Sequence, residues 1–358
     1  MSFLNKLKVL DLSSVLAGPS VGMFFAEMGA HVTKIEHPIH KDVTRTWKLS
    51  SEDSDSKTSA YFSSVNYKKE YAYLDLKKES DRKRFLNQVK QADILLMNFK
   101  KGDQEKFQLT DSLLHEINQK LIIGKINGFG TNSDRVAYDL ILQAETGFMS
   151  MNGNPESLPT KMPVALIDVL AAHQLKEGIL TALLNRTITN IGETVSVSLY
   201  ESAVSSLVNQ ASNFLMEGFI PERIGSLHPN IAPYGEIFKT QDNKLVTFAI
   251  GSQKQFEKLL NILALTHLIK DKRFTTNQQR IKHREILKEI LDKQILTSHA
   301  DTLLAKCHEH FIPAGEIKNL KQVFETQLAQ DLVREENIEG KNTKRVSSIA
   351  FKLSNENN

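Results

Sequence analysis

The amino-acid sequence predicts an α/β protein built on a doubly wound parallel β-sheet, with a second, smaller α/β domain. Short apolar segments alternate with helical segments over the first 130 residues, which is typical of strand–helix–strand units and a parallel sheet. A segment rich in proline and glycine then precedes a second group of strands and helices. A chain of 358 residues is long enough for about two domains.

The large domain is predicted to alternate strands with helices. The predicted strands are residues 8–12, 31–36, 71–76, 93–97, 121–126 and 194–199, and the predicted helices are 23–28, 77–91, 113–119, 139–147, 169–186 and 201–216. The first strand and helix are joined by a turn at 18–22 that lacks the G-x-G-x-x-G spacing, so no nicotinamide site is predicted. Ligands of such sheets bind beyond the carboxyl ends of the strands. This rule places Leu16, Ala17, His37, Trp47, Asn98 and the loop 128–130 on one rim.

The smaller domain is predicted after a linker at 218–234. It contains a predicted strand at 245–250, a helix that begins at Gln253 and a charged helical segment as far as about residue 310. Pro313 and Gly315 are predicted to interrupt regular structure.

Composition favours a globular protein of a reducing compartment. The 45 basic and 42 acidic residues leave a net charge of only +3, which argues against a nucleic-acid partner. We expect no membrane span and no signal peptide, because no apolar segment is long enough. The single cysteine, Cys307, excludes an intramolecular disulfide and favours the cytoplasm. The histidines show no metal-binding spacing, so no metal is expected.

Residues 137–168 carry the chemistry that the sequence makes visible. Asp168 precedes a long helical pattern, so it is either the N-cap of that helix or an ionised carboxylate able to attack an activated acyl group. Asp139 likewise caps a helix or holds a substrate group. The loop 128–130 and the pair at 152–153 are either plain turns or sources of N–H groups for an oxyanion.

Ordered motifs over nearly the whole chain resemble the class III CoA-transferase family, which includes formyl-CoA transferases, carnitine CoA-transferases and α-methylacyl-CoA racemases. The motifs are KVLDLSSVLAGPSVGMFFAEMGAHVTKIEHP, VNYKKEYAYLDLK, ADILLMNFKKG, NGFG, AYDLILQAETG, HPNIAPYGEIF, FTTNQQRIKHREIL and IPAGEI. The resemblance implies a Rossmann-like large domain and an interlocked homodimer. The implied domains are 1–217, a linker at 218–234, a small domain at 235–325 and a return to the large domain at 326–358.

The resemblance also implies a mechanism in which Asp168 is the catalytic residue. It would attack an acyl-CoA thioester and then carry CoA itself, until a small carboxylic acid acceptor reverses the exchange. CoA or acyl-CoA is thus expected as the substrate, and no other cofactor. The resemblance assigns CoA contacts to Leu16, Ala17, His37, Leu74, Asp75, Leu76, Lys77, Asn98, Phe99, Lys100, Lys106, Val136, Ala137, Tyr138 and Asp139.

Several positions bear on which reaction of the family applies. Racemases carry a histidine where this chain has Tyr138, and a tyrosine is poorly suited to reversible proton abstraction near neutral pH. Transfer is therefore favoured, with racemisation as an alternative. Leu16 replaces the glutamine of formyl-CoA transferases, Trp47 matches their tryptophan, and His37 and Lys106 replace arginines. With the shorter C-terminal segment, these differences leave a non-catalytic CoA-binding protein as a third alternative.

Overall fold

The structure, a computed structural model, describes residues 3–354. Within this range the chain forms two compact units. The first unit takes in the chain up to Met149, Lys161–Ile220 and the chain from Leu328 onward. The second takes in Ser150–Thr160 and Pro221–Gln327.

The first unit is organised around a six-stranded sheet in which every pairing is parallel. Its strands are β1 (Lys8–Asp11), β2 (His31–Glu36), β3 (Glu70–Tyr73), β4 (Ile94–Met97), β5 (Ile122–Asn127) and β6 (Thr194–Ser198). They lie in the order β3-β2-β1-β4-β5-β6, so the sheet grows to one side of β1 and then, from β4, to the other. The predicted α/β class and doubly wound parallel sheet are confirmed.

Helices follow most of these strands along the chain. They are α1 (Ala17–Glu27), α2 (Ala60–Ser63), α3 (Glu79–Val89), α4 (Asp103–Lys106), α5 (Asp111–Ile117), α6 (Asp139–Glu145), α7 (Phe148–Met151), α8 (Leu166–Thr189), α9 (Leu199–Ser205) and α10 (Val208–Glu217). A 3-10 helix at Val43–Thr46 interrupts the long segment between β2 and β3.

Alternate side chains of the strands pack into two apolar layers, one on each face of the sheet. Val9 belongs to the layer that contains Phe25 of α1 and Leu175 of α8. Its neighbour Leu10 belongs to the layer that contains Phe85 of α3. The sheet is therefore covered by helices on both faces, and its polar ligand positions are left at the strand ends.

Helix α1 begins earlier than predicted, because the predicted turn at 18–22 is part of the helix. Pro19 lies in the first turn, where its missing N–H has no intrahelical partner to lose. Gly18 permits a close approach to the preceding loop, since a Cβ there would lie 2.3 Å from the Cβ of Ser13. The prediction of one helix over 201–216 was also wrong, because α9 ends at Ser205 and α10 begins at Val208.

The second unit contains a three-stranded antiparallel sheet of order β7-β8-β9. It comprises β7 (Tyr234–Lys239), β8 (Leu245–Ala249) and β9 (Ala314–Glu316), with α11 (Gln253–Ile262), α12 (Asn277–Lys282), α13 (Arg284–Ile295), α14 (Ala300–Glu309) and α15 (Leu320–Phe324). Its core includes Phe238, Phe256 and Cys307. Gly315, predicted to break regular structure, instead pairs with Thr247 as part of β9.

A C-terminal hairpin completes the first unit. After α16 (Gln327–Gln330), strands β10 (Val333–Ile338) and β11 (Lys341–Val346) pair in antiparallel fashion. Glu339, in the hairpin turn, accepts a hydrogen bond of 2.7 Å from Arg45. Lys341 donates to Glu52 at 2.9 Å. The hairpin, which the sequence reading did not predict, thereby fastens the segment between β2 and β3.

Candidate active site

A cleft of about 370 Å³ opens at the carboxyl ends of β1, β4 and β5. The sheet changes its direction of growth between β1 and β4, and ligands of open α/β sheets bind at such a point. Several of the predicted site residues line this cleft, namely Leu16, Ala17, Asn98, Phe99, Lys100, Val136, Ala137, Tyr138 and Asp168. Asn98, 82 positions after Leu16, and Asp168, 152 positions after Leu16, are thus brought to the same cleft by the strand order.

The other predicted CoA contacts lie outside the cleft lining, and their role stays a prediction. They are His37, Leu74, Asp75, Leu76, Lys77, Lys106 and Asp139. Leu74 and Leu76 are buried in the core, so their side chains are not available to a ligand. His37 lies 3.7 Å from the carboxylate of Asp75, which places these two residues together.

Asp168 lies in the first turn of α8, as its third residue, and is only 8% exposed. Among the residues that the structure describes, no hydrogen-bond donor contacts its carboxylate. Burial, and secondarily the negative charge of Asp139, raise the pKa of Asp168 to about 7. A carboxylate with free lone pairs and a pKa near neutrality is available both as a base and as a nucleophile.

The N-cap of α8 is Ala165, so the interpretation of Asp168 as the cap was wrong. Asp139 supplies the missing cap from another helix, because its Oδ1 accepts the N–H of Ile167 at 2.8 Å. Its Oδ2 accepts the side-chain amide of Gln143 at 2.7 Å. Asp139 therefore orients the start of α8 and leaves Asp168 without that structural duty.

Aromatic side chains lie near the carboxylate of Asp168. Trp47 contacts Tyr61 edge-on, with ring centroids 5.1 Å apart, and lies 6.4 Å from Tyr138. Burial, with the charges of Asp168 and Asp139, raises the pKa of Tyr61 to about 12, so its hydroxyl keeps its proton. A hydroxyl that stays protonated can donate to a bound carboxylate or carbonyl.

Tyr61 was missed by the sequence reading. It lies in a short polar segment, TSAYFSS, with no periodic pattern or motif to single it out. Its proximity to Asp168 depends on how the long segment between β2 and β3 folds back over the strand ends.

Glycines also line the cleft. Gly128 and Gly130 line it, and a Cβ at Gly128 would lie 2.3 Å from the Cβ of Ala137. The N–H of Gly130 is already donated to the side chain of Asn127. The pair Asn152–Gly153, considered as a second source of N–H groups, belongs to the second unit, where the Gly153 carbonyl accepts the N–H of Gly225.

Basic side chains also line the cleft. Lys100 and Lys101 are exposed there, whereas Lys125 is paired with Asp111 at 2.6 Å. Arg135 also lines the cleft and is paired with Glu145 at 2.5 Å. Exposed ammonium groups suit the phosphates of a large anionic substrate.

Residues 3–354 show neither a metal-binding cluster nor a membrane-spanning helix. In that range no cluster of three or more His, Cys, Asp or Glu side chains is arranged to hold a metal ion. None of the helices described is long and apolar enough to cross a membrane.

Comparisons with known proteins place the chain among CoA-transferases. Residues 4–358 match the model of CoA-transferase family III. The succinate–glutarate CoA-transferase of Agrobacterium fabrum is 34% identical over 90% of this chain and 81% of its own length. The acetyl-CoA:oxalate CoA-transferase of Acetobacter aceti is 33% identical over 88% and 81%.

A solved structure agrees with the sequence relatives. The crystal structure of a CaiB/BaiF family protein from Brucella suis matches with a TM-score of 0.83 and 32% identity, covering 99% of this chain and 93% of that one. The family and the enzyme class predicted from the motifs are confirmed. The chain belongs to CoA-transferase family III.

Proposed function

We propose that the protein moves CoA from an acyl-CoA to a carboxylic acid through covalent intermediates on Asp168. The observation that carries the proposal is the state of this carboxylate. It is buried in the cleft, bonded to no donor among the described residues, and its pKa is raised to about 7 by burial and Asp139. The reaction type is supported by the membership of the whole chain in CoA-transferase family III.

In the proposed first half-reaction, an ionised oxygen of Asp168 attacks the thioester carbonyl. The C–S bond breaks, which gives a mixed anhydride and CoA thiolate. The thiolate then attacks the aspartyl carbonyl and releases the donor acid as a carboxylate, leaving CoA as a thioester on Asp168. No water enters and no net charge is created, so the energy of the thioester is kept.

In the second half-reaction the acceptor carboxylate attacks the aspartyl thioester. CoA thiolate leaves, and a second mixed anhydride joins the acceptor to Asp168. The thiolate then attacks the acceptor's carbonyl, which gives the new acyl-CoA and restores the carboxylate of Asp168. The same side chain is thus the nucleophile in the first step, the acyl group that is attacked in the second and third steps, and the leaving group in the last.

We propose a short dicarboxylic acid as donor or acceptor. The names of two relatives specify succinate, glutarate and oxalate, each of which carries a second carboxylate. The exposed Lys100 and Lys101 in the cleft add positive charge that favours anionic substrates. Leu16, in place of the glutamine of formyl-CoA transferases, favours succinate or glutarate over formyl-CoA chemistry.

We also propose that the protein works as the interlocked homodimer of its family, in the cytoplasm. Helix α10 supports a partner chain, because none of its residues is buried and Phe214, Leu215 and Met216 are at least half exposed. Exposed apolar residues of this density on one helix are typical of an interface. Light scattering coupled to gel filtration would give the mass, and a monomer at micromolar concentration would contradict the proposal.

The decisive test is to trap the intermediate. The protein is incubated with succinyl-CoA and other acyl-CoA donors, treated with hydroxylamine and digested, and the peptide containing Asp168 is weighed by mass spectrometry. A hydroxamate on Asp168 is expected in the wild type and in the control Glu177→Gln, which changes an exposed acid on the same helix. Asp168→Asn should give no adduct.

The same preparations separate the two alternatives. A racemase would exchange deuterium at the α-carbon of a branched acyl-CoA, and Tyr138 predicts no such exchange. A non-catalytic CoA-binding protein would bind CoA without turnover, and its affinity would be the same in Asp168→Asn. Absence of any adduct at Asp168 with the whole donor panel would refute the covalent mechanism.

A further inference from the structure

The loop between β1 and α1 (residues 12–16) lines the cleft through residues 14–16 and is held by buried and partly buried polar side chains. The N–H of Ser13 is donated to Asp11 at 3.0 Å, and its carbonyl accepts the ammonium group of Lys34 at 2.8 Å. Both backbone groups of Ser14 bond to the side-chain amide of Asn98, at 3.0 and 2.9 Å. The loop is therefore positioned by residues from three different strands or strand ends.

Val15 is the strained member of this loop. Its φ is 73°, in the left-handed region that β-branched residues rarely adopt. Its N–H is donated to the carboxylate of Asp42, at 3.2 Å from Oδ2. Leu16 and Ala17 follow directly and line the cleft, so the conformation of Val15 sets where this wall lies relative to Asp168.

Asp42 is itself fixed in place by a buried ionic network. Its Oδ2 lies 3.2 Å from the ammonium group of Lys34, and its N–H is donated to Glu36 at 2.9 Å. Glu36 in turn accepts two hydrogen bonds from Arg45, at 2.9 and 2.6 Å. All four side chains are buried, so each depends on the others for its hydrogen bonds.

Three backbone N–H groups that follow Val15 are not used within the described part of the protein. No acceptor within the described range contacts the N–H of Leu16, Ala17 or Gly18. A shift of Val15 would move these groups and the side chain of Leu16 relative to Asp168, because α1 begins at Ala17. Misplacement of about 1 Å in an active site can cost on the order of 100-fold in rate.

We propose that Asp42 is a positioning residue for the transfer reaction, which it supports by holding Val15 in the left-handed conformation. Asp42 does not touch the substrate; it acts through Val15 on the cleft wall formed by Leu16 and Ala17. The proposal rests on the proposed function, since it concerns the geometry around Asp168. It adds a residue outside the cleft lining to those that determine the rate.

The first test compares Asp42→Asn with the control Asp55→Asn. The asparagine amide has the size of the carboxylate, but one of its two oxygens is replaced by an NH₂ group that cannot accept a hydrogen bond. Depending on its orientation, the NH₂ group then faces either Thr44 or Val15 and Lys34, which are themselves donors. We expect kcat for CoA transfer to fall by about 100-fold. Asp55 is an exposed acid of the same segment, and its variant should keep the wild-type kcat.

The second test is a rescue that a merely structural role would not show. Glycine adopts positive φ without steric cost, so Val15→Gly should no longer need Asp42 to hold it. In the Asp42→Asn background it should restore kcat by about tenfold. Alone, it should change kcat by about fivefold or less. If Asp42→Asn lowers kcat equally in the presence and absence of Val15→Gly, the proposal is overturned.

A third measurement does not depend on catalysis. Hydrogen–deuterium exchange of the peptide covering residues 12–17 should be faster in Asp42→Asn than in the wild type and Asp55→Asn. Unchanged exchange would show that Asp42 does not hold the loop, whatever the activity. If the wild type transfers no CoA among the acids tested, the proposed function fails. The exchange result still decides whether Asp42 holds the loop at residues 12–17.

Discussion

Two sets of buried carboxylates lie near the same cleft, and the protein treats them in opposite ways. Asp11 accepts the ammonium group of Lys69 at 2.8 Å and the N–H of Ser13 at 3.0 Å. Burial alone would raise the pKa of Asp11, but Lys69 and Lys34 outweigh it and hold the pKa below its usual range. Asp168 has no such donor within the described residues, and burial and Asp139 raise its pKa to about 7.

The difference separates carboxylates that hold the fold from the one proposed to react. In the network of Asp11 and Asp42, donors occupy the lone pairs of both carboxylates. At Asp11, Lys69 and Lys34 also stabilise the ionised form. At Asp168, burial destabilises the ionised form and leaves its lone pairs free. The folded state therefore carries an energetic cost at Asp168 that the paired carboxylates do not have.

The largest effect on the fold is expected from Asp11→Asn. The variant leaves Lys69 buried without its ion pair, which typically costs about 3 to 5 kcal/mol. Burial already lowers the pKa of Lys69 to about 8 despite its attraction to Asp11. Urea unfolding of this variant and of Asp55→Asn would measure the loss. A decrease in the free energy of unfolding of less than about 1 kcal/mol would show that the ion pair is not a main support of the inner strand β1.

Asp168→Asn should change the free energy of unfolding in the opposite direction and make the protein more stable. The folded pKa of about 7 lies above the ordinary value of 3.8. Stability linked to this group is therefore fully present below pH 3.8 and lost as pH rises through about 7. We expect a gain of roughly 1 to 4 kcal/mol at pH 8 and a smaller gain at pH 5. If Asp168→Asn and the wild type have the same unfolding curves at both pH values, burial of Asp168 does not destabilise the folded protein.

The pH dependence of transfer should report the same carboxylate. Only ionised Asp168 can attack, so the rate of anhydride formation in the wild type should rise as pH increases through about 7. Asp139→Asn removes the neighbouring charge while it keeps an oxygen to cap α8 at Ile167. The midpoint of its pH–rate profile should then lie lower than in the wild type. An unchanged midpoint would mean that Asp139 acts on Asp168 only through the orientation of α8.

The smallest effect is expected at the edge of the ionic network. Glu339 of the hairpin is partly exposed and pairs with Arg45 at 2.7 Å and Lys41 at 3.2 Å. Glu339→Gln should lower stability by about 1 kcal/mol, because solvent screens the pair. Its matched control is Glu335→Gln, an exposed hairpin acid paired with Lys344, whose loss should be near zero. Thermal unfolding of both would show whether the network extends to the hairpin.

The sheet could be predicted because each of its strands is a short apolar segment that can be recognised from the local sequence alone. Residues 31–36 and 122–126 lie in strands as expected. The start of α1 was misplaced because glycine and proline usually mark turns, whereas here Gly18 serves the close approach to Ser13. The hairpin of β10 and β11 was missed because charged residues dominate both strands.

The part of the candidate site that could be predicted consists of residues in local sequence motifs. Asp168, Tyr138 and Asn98 follow predicted strands or precede predicted helices, and they do line one cleft. Tyr61 could not be predicted, because its place depends on the fold of a long polar segment. The same holds for the cap that Asp139 gives to α8, since that bond joins residues 28 positions apart.

The bond from Arg45 to Glu339 has a consequence for protein synthesis. The two residues are separated by 294 positions, so the ribosome delivers the strands β1 and β2 long before the hairpin exists. The nascent sheet therefore emerges with the Arg45 guanidinium still lacking one of its acceptors. The ionic network becomes complete only near the end of translation, so chains truncated before the hairpin would carry Asp168 without the full support of its cleft.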